Sequence, residues 1–302
     1  MSYVGPDFDP PQPRRPRRGP LTVALAALVP GALIGWFVYE AVGSPGGGSS
    51  AHASSASAGA SVSPTSTASN DDKPPGPSPL KGKVVVIDPG HNVTNFQHTA
   101  EINRKVDIGT NWKECDTTGT STNVGYSEAQ FTMDVSHRLK ALLEKQGVTV
   151  KLTHDTGSPS WGPCVDQRAR IGNDAHADAA LSIHADGAPA GDRGFHVILP
   201  ASVHAGGADT RAIVGPSAVL GRGIASNYRR VTGEPFSNYV GDGTGLDTRK
   251  DLGGLNLSTV PKVFIECGNM RDSNDAALLT NGAWRQKAAQ GISEGIVSFL
   301  ES

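Results

Sequence analysis

The chain has 302 residues, a net charge of −2 and three cysteines. A charge so near zero argues against a nucleic-acid surface, which needs a basic excess, so we expect no nucleic-acid partner. The cysteines contain no C-x-x-C pair, which argues against a structural zinc site of the finger type. Residues 81–302 are long enough to build one substantial core.

The N-terminal part predicts three segments outside any globular domain. Residues 1–20 are basic and rich in proline, and residues 21–42 begin with an uncharged apolar run from Leu21 to Val38. Such a run is long enough to cross a bilayer, and the basic side predicts that residues 1–20 stay in the cytoplasm. Residues 43–80 are rich in Gly, Ser, Ala, Thr and Pro, which predicts a disordered linker.

Residues 21–42 have a second interpretation. Small residues from Ala41 to Gly43 offer a cleavage site for a secretory signal peptide. We favour a transmembrane anchor because the apolar run exceeds the roughly 7–15 residues of a signal-peptide core. Both interpretations place residues 81–302 outside the cytoplasm, in the cell envelope if anchored and secreted if cleaved.

Strand-like apolar runs alternate with helical patterns in the rest of the chain. The predicted strands are 83–88, 148–153, 179–184, 194–199 and 262–266, and the predicted helices are 128–146, 165–177, 211–232 and 283–300. The helix at 128–146 has apolar residues at helical spacing and Gly147 as a stop signal. Alternating strands and helices indicate an α/β fold with a mostly parallel sheet flanked by helices.

Two of the cysteines differ from the third in their surroundings. Cys115 and Cys164 lie in loop sequence rich in Gly, Thr and Pro, and in an exported protein they are candidates for one disulfide. Cys267 follows the apolar run Val263–Ile265 and Glu266, and is predicted to be a small buried core residue.

Polar residues stand at the carboxyl ends of three predicted strands. His91 follows VVVIDPG, His184 ends ALSIH, and Glu266 ends KVFIE. The ligand crevice of an open parallel sheet lies beyond the carboxyl ends of its strands, so we expect these side chains to converge. His154 also follows a strand and competes with them, whereas His196 lies inside a strand and is predicted to alternate with core residues.

Glu128, at the start of the long helix, has two interpretations. Ser127 and Gln130 form a capping-box pattern, and a glutamate in the first turn interacts favourably with the helix dipole, so Glu128 needs no ligand role. Two histidines and one carboxylate are, however, usual ligands of catalytic zinc, and a second carboxylate can serve as the base. Glu128 and the three strand-end residues match these four roles, although the H-E-x-x-H signature is absent.

Four segments together resemble a known family. IDPGH at 87–91, SEAQFTMDVSHRLKALLE at 127–144, SIHAD at 182–186 and VPKVFIECGNM at 260–270 are similar, in order and spacing, to blocks of the zinc-dependent N-acetylmuramoyl-L-alanine amidases of the amidase-3 type. Each block is weak alone and the set is specific. The resemblance covers about Lys83 to Leu300, nearly the whole predicted domain.

The resemblance implies a roughly six-stranded, mostly parallel sheet flanked by helices and a bound Zn²⁺. It implies hydrolysis of the amide between N-acetylmuramic acid and L-alanine in peptidoglycan or its muropeptides. It further implies that His91, Glu128 and His184 ligate the zinc and that Glu266 is the general base. The cysteine pair is similar to a loop disulfide of a smaller, single-domain subgroup.

One residue beside the site and two departures from the family pattern also lead to predictions. Asp88 is our candidate for orienting an imidazole, with an Asx turn before Pro89 as the alternative. Asn92 and Val93 replace the usual glycine pair, which predicts a different backbone path after His91. Asn256 stands where many members carry an arginine, which puts a substrate contact there in doubt.

Two other functions stay open on the sequence alone. One is a zinc carboxypeptidase that cuts within the stem peptide, and the other is a catalytically inactive wall-binding protein. The amidase interpretation implies that peptidoglycan is the partner and that the N-terminal segment contacts the membrane. We expect a monomer.

Overall fold

The computed structural model describes residues 80–302. The predicted cytoplasmic tail, the anchor or signal at 21–42 and the linker up to residue 79 lie outside the described residues, so they stay predictions. Within residues 80–302, no helix combines the length and the apolar character that crossing a bilayer requires. Leu80, which we assigned to the linker, is 1% exposed and packs in the core.

The described part contains ten strands, seven α-helices and two short 3-10 helices. The strands are β1 (Val84–Pro89), β2 (Lys105–Asp107), β3 (Trp112–Glu114), β4 (Thr149–Leu152), β5 (Ala179–Asp186), β6 (His196–Pro200), β7 (His204–Ala205), β8 (Ala208–Asp209), β9 (Leu246–Arg249) and β10 (Lys262–Asn269). The helices are α1 (Thr99–Ile102), α2 (Glu128–Glu144), α3 (Val165–Asp174), α4 (Val214–Thr232), α5 (Gly253–Asn256), α6 (Ser273–Leu279) and α7 (Gly282–Leu300).

Six strands form one sheet in the order β4-β1-β5-β10-β6-β9. All neighbouring strands in it are parallel except β10 and β6, which are antiparallel. The other strands form two separate hairpins, β2 with β3 and β7 with β8. The predicted α/β class and the mostly parallel, six-stranded sheet are therefore confirmed.

Helices cover both faces of this sheet because successive residues of its buried strands point to opposite sides. Ile87 packs in the larger cluster, with Phe131 of α2, Tyr228 of α4 and Ile292 of α7. The opposite face carries smaller clusters, one that joins Val86 to Ile171 of α3 and one that joins Ile198 and Phe264 to Leu255 of α5. The buried strands therefore have continuous apolar runs in their sequences, such as VVVI in β1.

All predicted strands and helices exist, with ends that shift by up to three residues. The helix predicted at 128–146 ends at Glu144, and Gly147 follows with φ of 88°, as a stop signal requires. The sequence missed β9, because its four residues, LDTR, have no apolar pattern. It also missed both hairpins and the short helices α1, α5 and α6.

The cysteines behave as predicted. Cys115 and Cys164 form a disulfide between residues 49 positions apart, and Cys267 is free and fully buried. The disulfide joins the segment after β3 to the residue that precedes α3.

Candidate metal centre

His91, Glu128 and His184 come together at the carboxyl edge of the sheet. His91 lies two residues beyond the end of β1, His184 lies in the adjacent parallel strand β5, and Glu128 is the first residue of α2. One potential ligand atom of each lies within 4.8 Å of the other two. Among residues 80–302, this is the group of His, Cys, Asp and Glu side chains close enough together to hold a metal ion.

Glu128 lies between the two imidazoles. Its Oε1 is 2.8 Å from His184 Nδ1, and its Oε2 is 3.2 Å from His91 Nε2. The rings of His91 and His184 meet at 90° with 5.1 Å between centroids. Ser127 caps α2 and forms the predicted capping box with Gln130, so helix capping places Glu128 in the site.

Charge in this cluster favours a bound cation. Burial alone would raise the pKa of Glu128, but the two imidazoles outweigh it and hold this pKa well below its usual range. Burial alone would lower the pKa of His91, but the carboxylates of Glu128 and Asp116 raise it to about 10. The buried carboxylates therefore make the position between these side chains favourable for positive charge.

Two glycines pack against the cluster because no larger residue fits. A Cβ at Gly90 would lie 2.5 Å from His184 Nδ1. A Cβ at Gly119 would lie 2.6 Å from His91 Cδ2 and 2.7 Å from Glu128 Oε2. The break at Pro89-Gly90 after β1 thus leaves room for an imidazole from the next strand.

Glu266 lies beside the cluster without bonding to it. It is the partner of His184 in the pairing of β10 with β5, and both line a cavity of about 330 Å³ with His91 and Glu128. Its Oε2 is buried and has no hydrogen-bond partner among the described residues. Burial, together with the charges of Glu128 and Asp186, raises the pKa of Glu266 well above its usual range. Such an unengaged carboxylate is suited to exchange a proton.

Asp116, which the sequence did not indicate, lies behind His91. Nδ1 of His91 is 3.1 Å from the carbonyl oxygen of Thr117 and 3.3 Å from Asp116 Oδ1. Burial opposes ionisation of Asp116, but Arg168 and His91 hold its pKa at about 2. No sequence signal marked Asp116 except its position next to Cys115.

Asp88 does not have the role that we predicted. Its carboxylate accepts hydrogen bonds from Thr153 Oγ1, Ser182 Oγ and Arg168 Nη1 at 2.6, 2.6 and 2.8 Å. Within residues 80–302 it bonds neither site imidazole and forms no Asx turn. The prediction is wrong because Asp88, at the end of β1, lies among buried partners while the chain turns toward the site only after Pro89.

Other residues singled out in the sequence lie outside the cluster. His154 is 4% exposed and next to Thr153, and His196 is 3% exposed with its ring against Tyr239. Asn256 is buried and donates to the carbonyl oxygens of Ile108 and Lys250, so its side chain has a structural role.

The change after PGH also has a structural consequence. Asn92 donates to the carbonyl oxygens of Pro159 and Gly162, while Thr94 donates to its side-chain oxygen. Asn92 therefore attaches the His91 loop to the segment before α3, which a glycine could not do. Val93 is 37% exposed.

An α/β sheet with two imidazoles, a shared carboxylate and a second, unengaged carboxylate at its carboxyl edge is typical of metal-dependent hydrolases. Residues 85–298 match a family model described as N-acetylmuramoyl-L-alanine amidase. The chain therefore belongs to the amidase-3 family of N-acetylmuramoyl-L-alanine amidases.

Known mycobacterial proteins are similar to this chain. An N-acetylmuramoyl-L-alanine amidase of Mycobacterium tuberculosis is 41% identical over 226 residues, which cover 74% of this chain and 89% of that protein. The crystal structure of the amidase Ami1 from Mycobacterium smegmatis has a TM-score of 0.67 and 38% identity, and the match covers 73% of this chain and 98% of Ami1. The crystal structure of apo Ami1 from Mycobacterium abscessus has a TM-score of 0.66 and 38% identity, and the match covers 73% of this chain and 100% of that Ami1 chain.

Proposed function

We propose that the protein is a zinc-dependent amidase that hydrolyses the bond between the lactyl group of N-acetylmuramic acid and the L-alanine of the stem peptide in peptidoglycan. The observation that carries this proposal is the convergence of His91, Glu128 and His184 beside the unengaged carboxylate of Glu266, in a member of the amidase-3 family.

The donor set fits zinc. Two imidazole nitrogens and one carboxylate oxygen, all within 4.8 Å of one another, are the three protein ligands of many catalytic zinc sites, which keep the fourth position open. His91 would bind through Nε2 and His184 through Nδ1, the nitrogens that face Glu128. When bound, zinc would polarise the amide carbonyl, acidify the attacking water and favour the ionised form of Glu266.

Glu266 is the group that moves protons. Its buried Oε2 has no partner to lose, so it can accept a proton from the attacking water. Its low-dielectric, acidic surroundings favour the protonated form, so Glu266 can then return that proton to the departing amine of L-alanine. Phe264 stacks on the imidazole of His184 with 5.3 Å between centroids, which holds that ligand beside the base.

The substrate places this reaction in the cell envelope, outside the cytoplasm, and agrees with the predicted export. Anchoring by residues 21–42 would keep the enzyme at the membrane surface. A flexible linker over residues 43–79 would then hold the domain roughly 30 Å from the membrane, because the mean end-to-end distance of a flexible coil grows with the square root of its length. The anchor and the monomeric state stay predictions.

Mass spectrometry of products from purified muropeptides tests the proposal and separates its alternatives. We expect an intact stem peptide with an alanine amino terminus and a sugar with a free lactyl carboxylate. A chelator should stop their formation and added zinc should restore it. Shortened peptides that remain attached to the sugar would indicate a carboxypeptidase instead. Unchanged substrate with zinc-loaded protein would indicate a wall-binding protein.

A further inference from the structure

Arg168 of α3 is buried behind the candidate metal centre, where it bonds to several segments of the chain. It is 4% exposed, and all five of its N–H donors have acceptors. Nε donates to the carbonyl oxygen of Pro163, Nη1 donates to Asp88 Oδ1 and the carbonyl oxygen of Pro89, and Nη2 donates to the carbonyl oxygen of His91 and to Asp116 Oδ2. These acceptors lie on the segments that surround His91.

Arg168 fixes the backbone of His91. His91 has φ of 60°, a left-handed conformation that residues other than glycine rarely adopt. Such a conformation persists only where the surroundings determine it. The bonds from Arg168 to the carbonyl oxygens of Pro89 and His91, at 2.6 and 3.1 Å, hold the chain on both sides of this turn.

Arg168 also reaches the ring of His91 through Asp116. One oxygen of Asp116 accepts from Arg168 Nη2 at 2.9 Å, and the other lies 3.3 Å from His91 Nδ1. A metal-ligating histidine usually donates its second ring N–H to a carboxylate or a carbonyl, which sets the tautomer and the ring orientation. With Nδ1 facing Asp116 and Thr117, Nε2 faces Glu128.

The disulfide joins the two segments that carry this pair. Cys115 immediately precedes Asp116, and Cys164 precedes the helix of Arg168. The backbone N–H of Val165 donates to the carbonyl oxygen of Cys115 at 2.8 Å, beside the disulfide. Arg168 and Asp116 therefore meet at a covalently fixed point.

We propose that Arg168 and Asp116 are positioning residues that hold His91 Nε2 toward the metal and thereby set the affinity for zinc. This inference rests on the metal centre of the proposed function. Arginine is required at position 168 because its planar fork reaches acceptors in several directions, whereas lysine offers a point charge with three donors.

Zinc affinity of the variants tests the pair. The dissociation constant for zinc is measured by competition with a chelator at constant pH. The protein is first freed of metal. We expect Arg168→Lys and Asp116→Asn each to weaken zinc binding about 10- to 100-fold, as is typical for loss of a group behind a ligand. The matched control is Arg138→Lys on α2, where Arg138 pairs with Asp134 away from the site. It should bind zinc as the wild type does.

A double variant separates positioning from a general loss of structure. Both residues act through the imidazole of His91, so their effects on zinc binding should not add. The double variant Arg168→Lys/Asp116→Asn should therefore have about the same zinc dissociation constant as the single variant that binds zinc less tightly. Near-UV circular dichroism selects the variants that fold. If Arg168→Lys does not fold, Asp116→Asn alone decides by the same criterion.

Wild-type zinc affinity in a folded variant at either position would overturn the inference, and so would additive losses in the double variant. Failure of the proposed function is a separate result. A wild-type protein that binds zinc and leaves muropeptides intact would refute the proposed amidase activity. In that case the zinc affinities of the variants would still test whether Arg168 and Asp116 position His91.

Discussion

Glu266 faces His184 across two parallel strands. β10 pairs with β5 in a register that makes these two residues partners, and Phe264, two positions earlier on the same face of β10, stacks on the imidazole of His184. One strand therefore provides both the proposed base and the residue that fixes a proposed ligand. The register of these two strands therefore fixes where the proposed base stands relative to a proposed ligand.

Replacement of His184 by alanine should abolish stoichiometric zinc binding, because it removes one of three proposed ligands. Metal analysis after gel filtration measures the zinc content. His137→Ala is the matched control, since His137 is exposed on α2 and pairs with Asp155 outside the cluster. Full zinc content in His184→Ala would refute the ligand set.

Gly119→Ala should weaken zinc binding because the added Cβ would collide with His91 and Glu128. Gly125→Ala is a close control, since Gly125 also has positive φ, 91° against 72° at Gly119, and has nothing within 4 Å of the built Cβ. Both variants should lose about 1–2 kcal/mol of stability from the left-handed backbone. Only the first should lose zinc affinity in a chelator titration, and equal affinities would contradict this explanation.

Removal of the disulfide by Cys115→Ala/Cys164→Ala should lower the free energy of unfolding by about 4 kcal/mol, the value of the chain-entropy model for a loop of this length. Urea denaturation measures the change. The control is Cys267→Ala, which removes a buried thiol without breaking a cross-link. A loss in the double variant no larger than in the control would show that the cross-link adds no stability.

Acidification should destabilise the fold through His154. Burial, and then the charge of Arg168, lowers the pKa of His154 to about 4. Because the unfolded chain binds this proton more tightly, stability is complete above about pH 6.5 and falls by roughly 3 kcal/mol as pH drops toward 4. His154→Gln should flatten this part of the curve of unfolding free energy against pH. If the unfolding free energy of the variant and of the wild type falls equally with pH, groups other than His154 cause the loss of stability.

Much of the sheet could be predicted from the sequence because its central strands are buried on both faces and therefore continuously apolar. β9 could not, since its residues are held by pairing with β6 rather than by their own pattern. The convergence of His91, His184 and Glu266 followed from one rule, that parallel strands share a carboxyl edge.

The support behind the site could not be predicted in the same way. Glu128 had an adequate explanation as a first-turn residue that interacts with the helix dipole. In the structure Ser127 caps this helix, and its first residue, Glu128, lies in the site. Asp116 and Arg168 come from distant segments that a disulfide joins. The hydrophobic pattern of the sequence does not indicate a contact between two polar residues so far apart in the chain. Asp88 was misassigned for the same reason: its neighbours along the chain did not reveal its partners across the sheet.

The most direct test of the central claim is the hydrolysis rate and zinc content of Glu266→Gln on purified muropeptides. The substitution keeps the size of the side chain and removes its ability to take a proton, so we expect the rate to fall at least about 100-fold with zinc content unchanged. A variant that keeps its zinc and digests muropeptides at the wild-type rate would show that Glu266 is not the base, and would contradict the proposed mechanism.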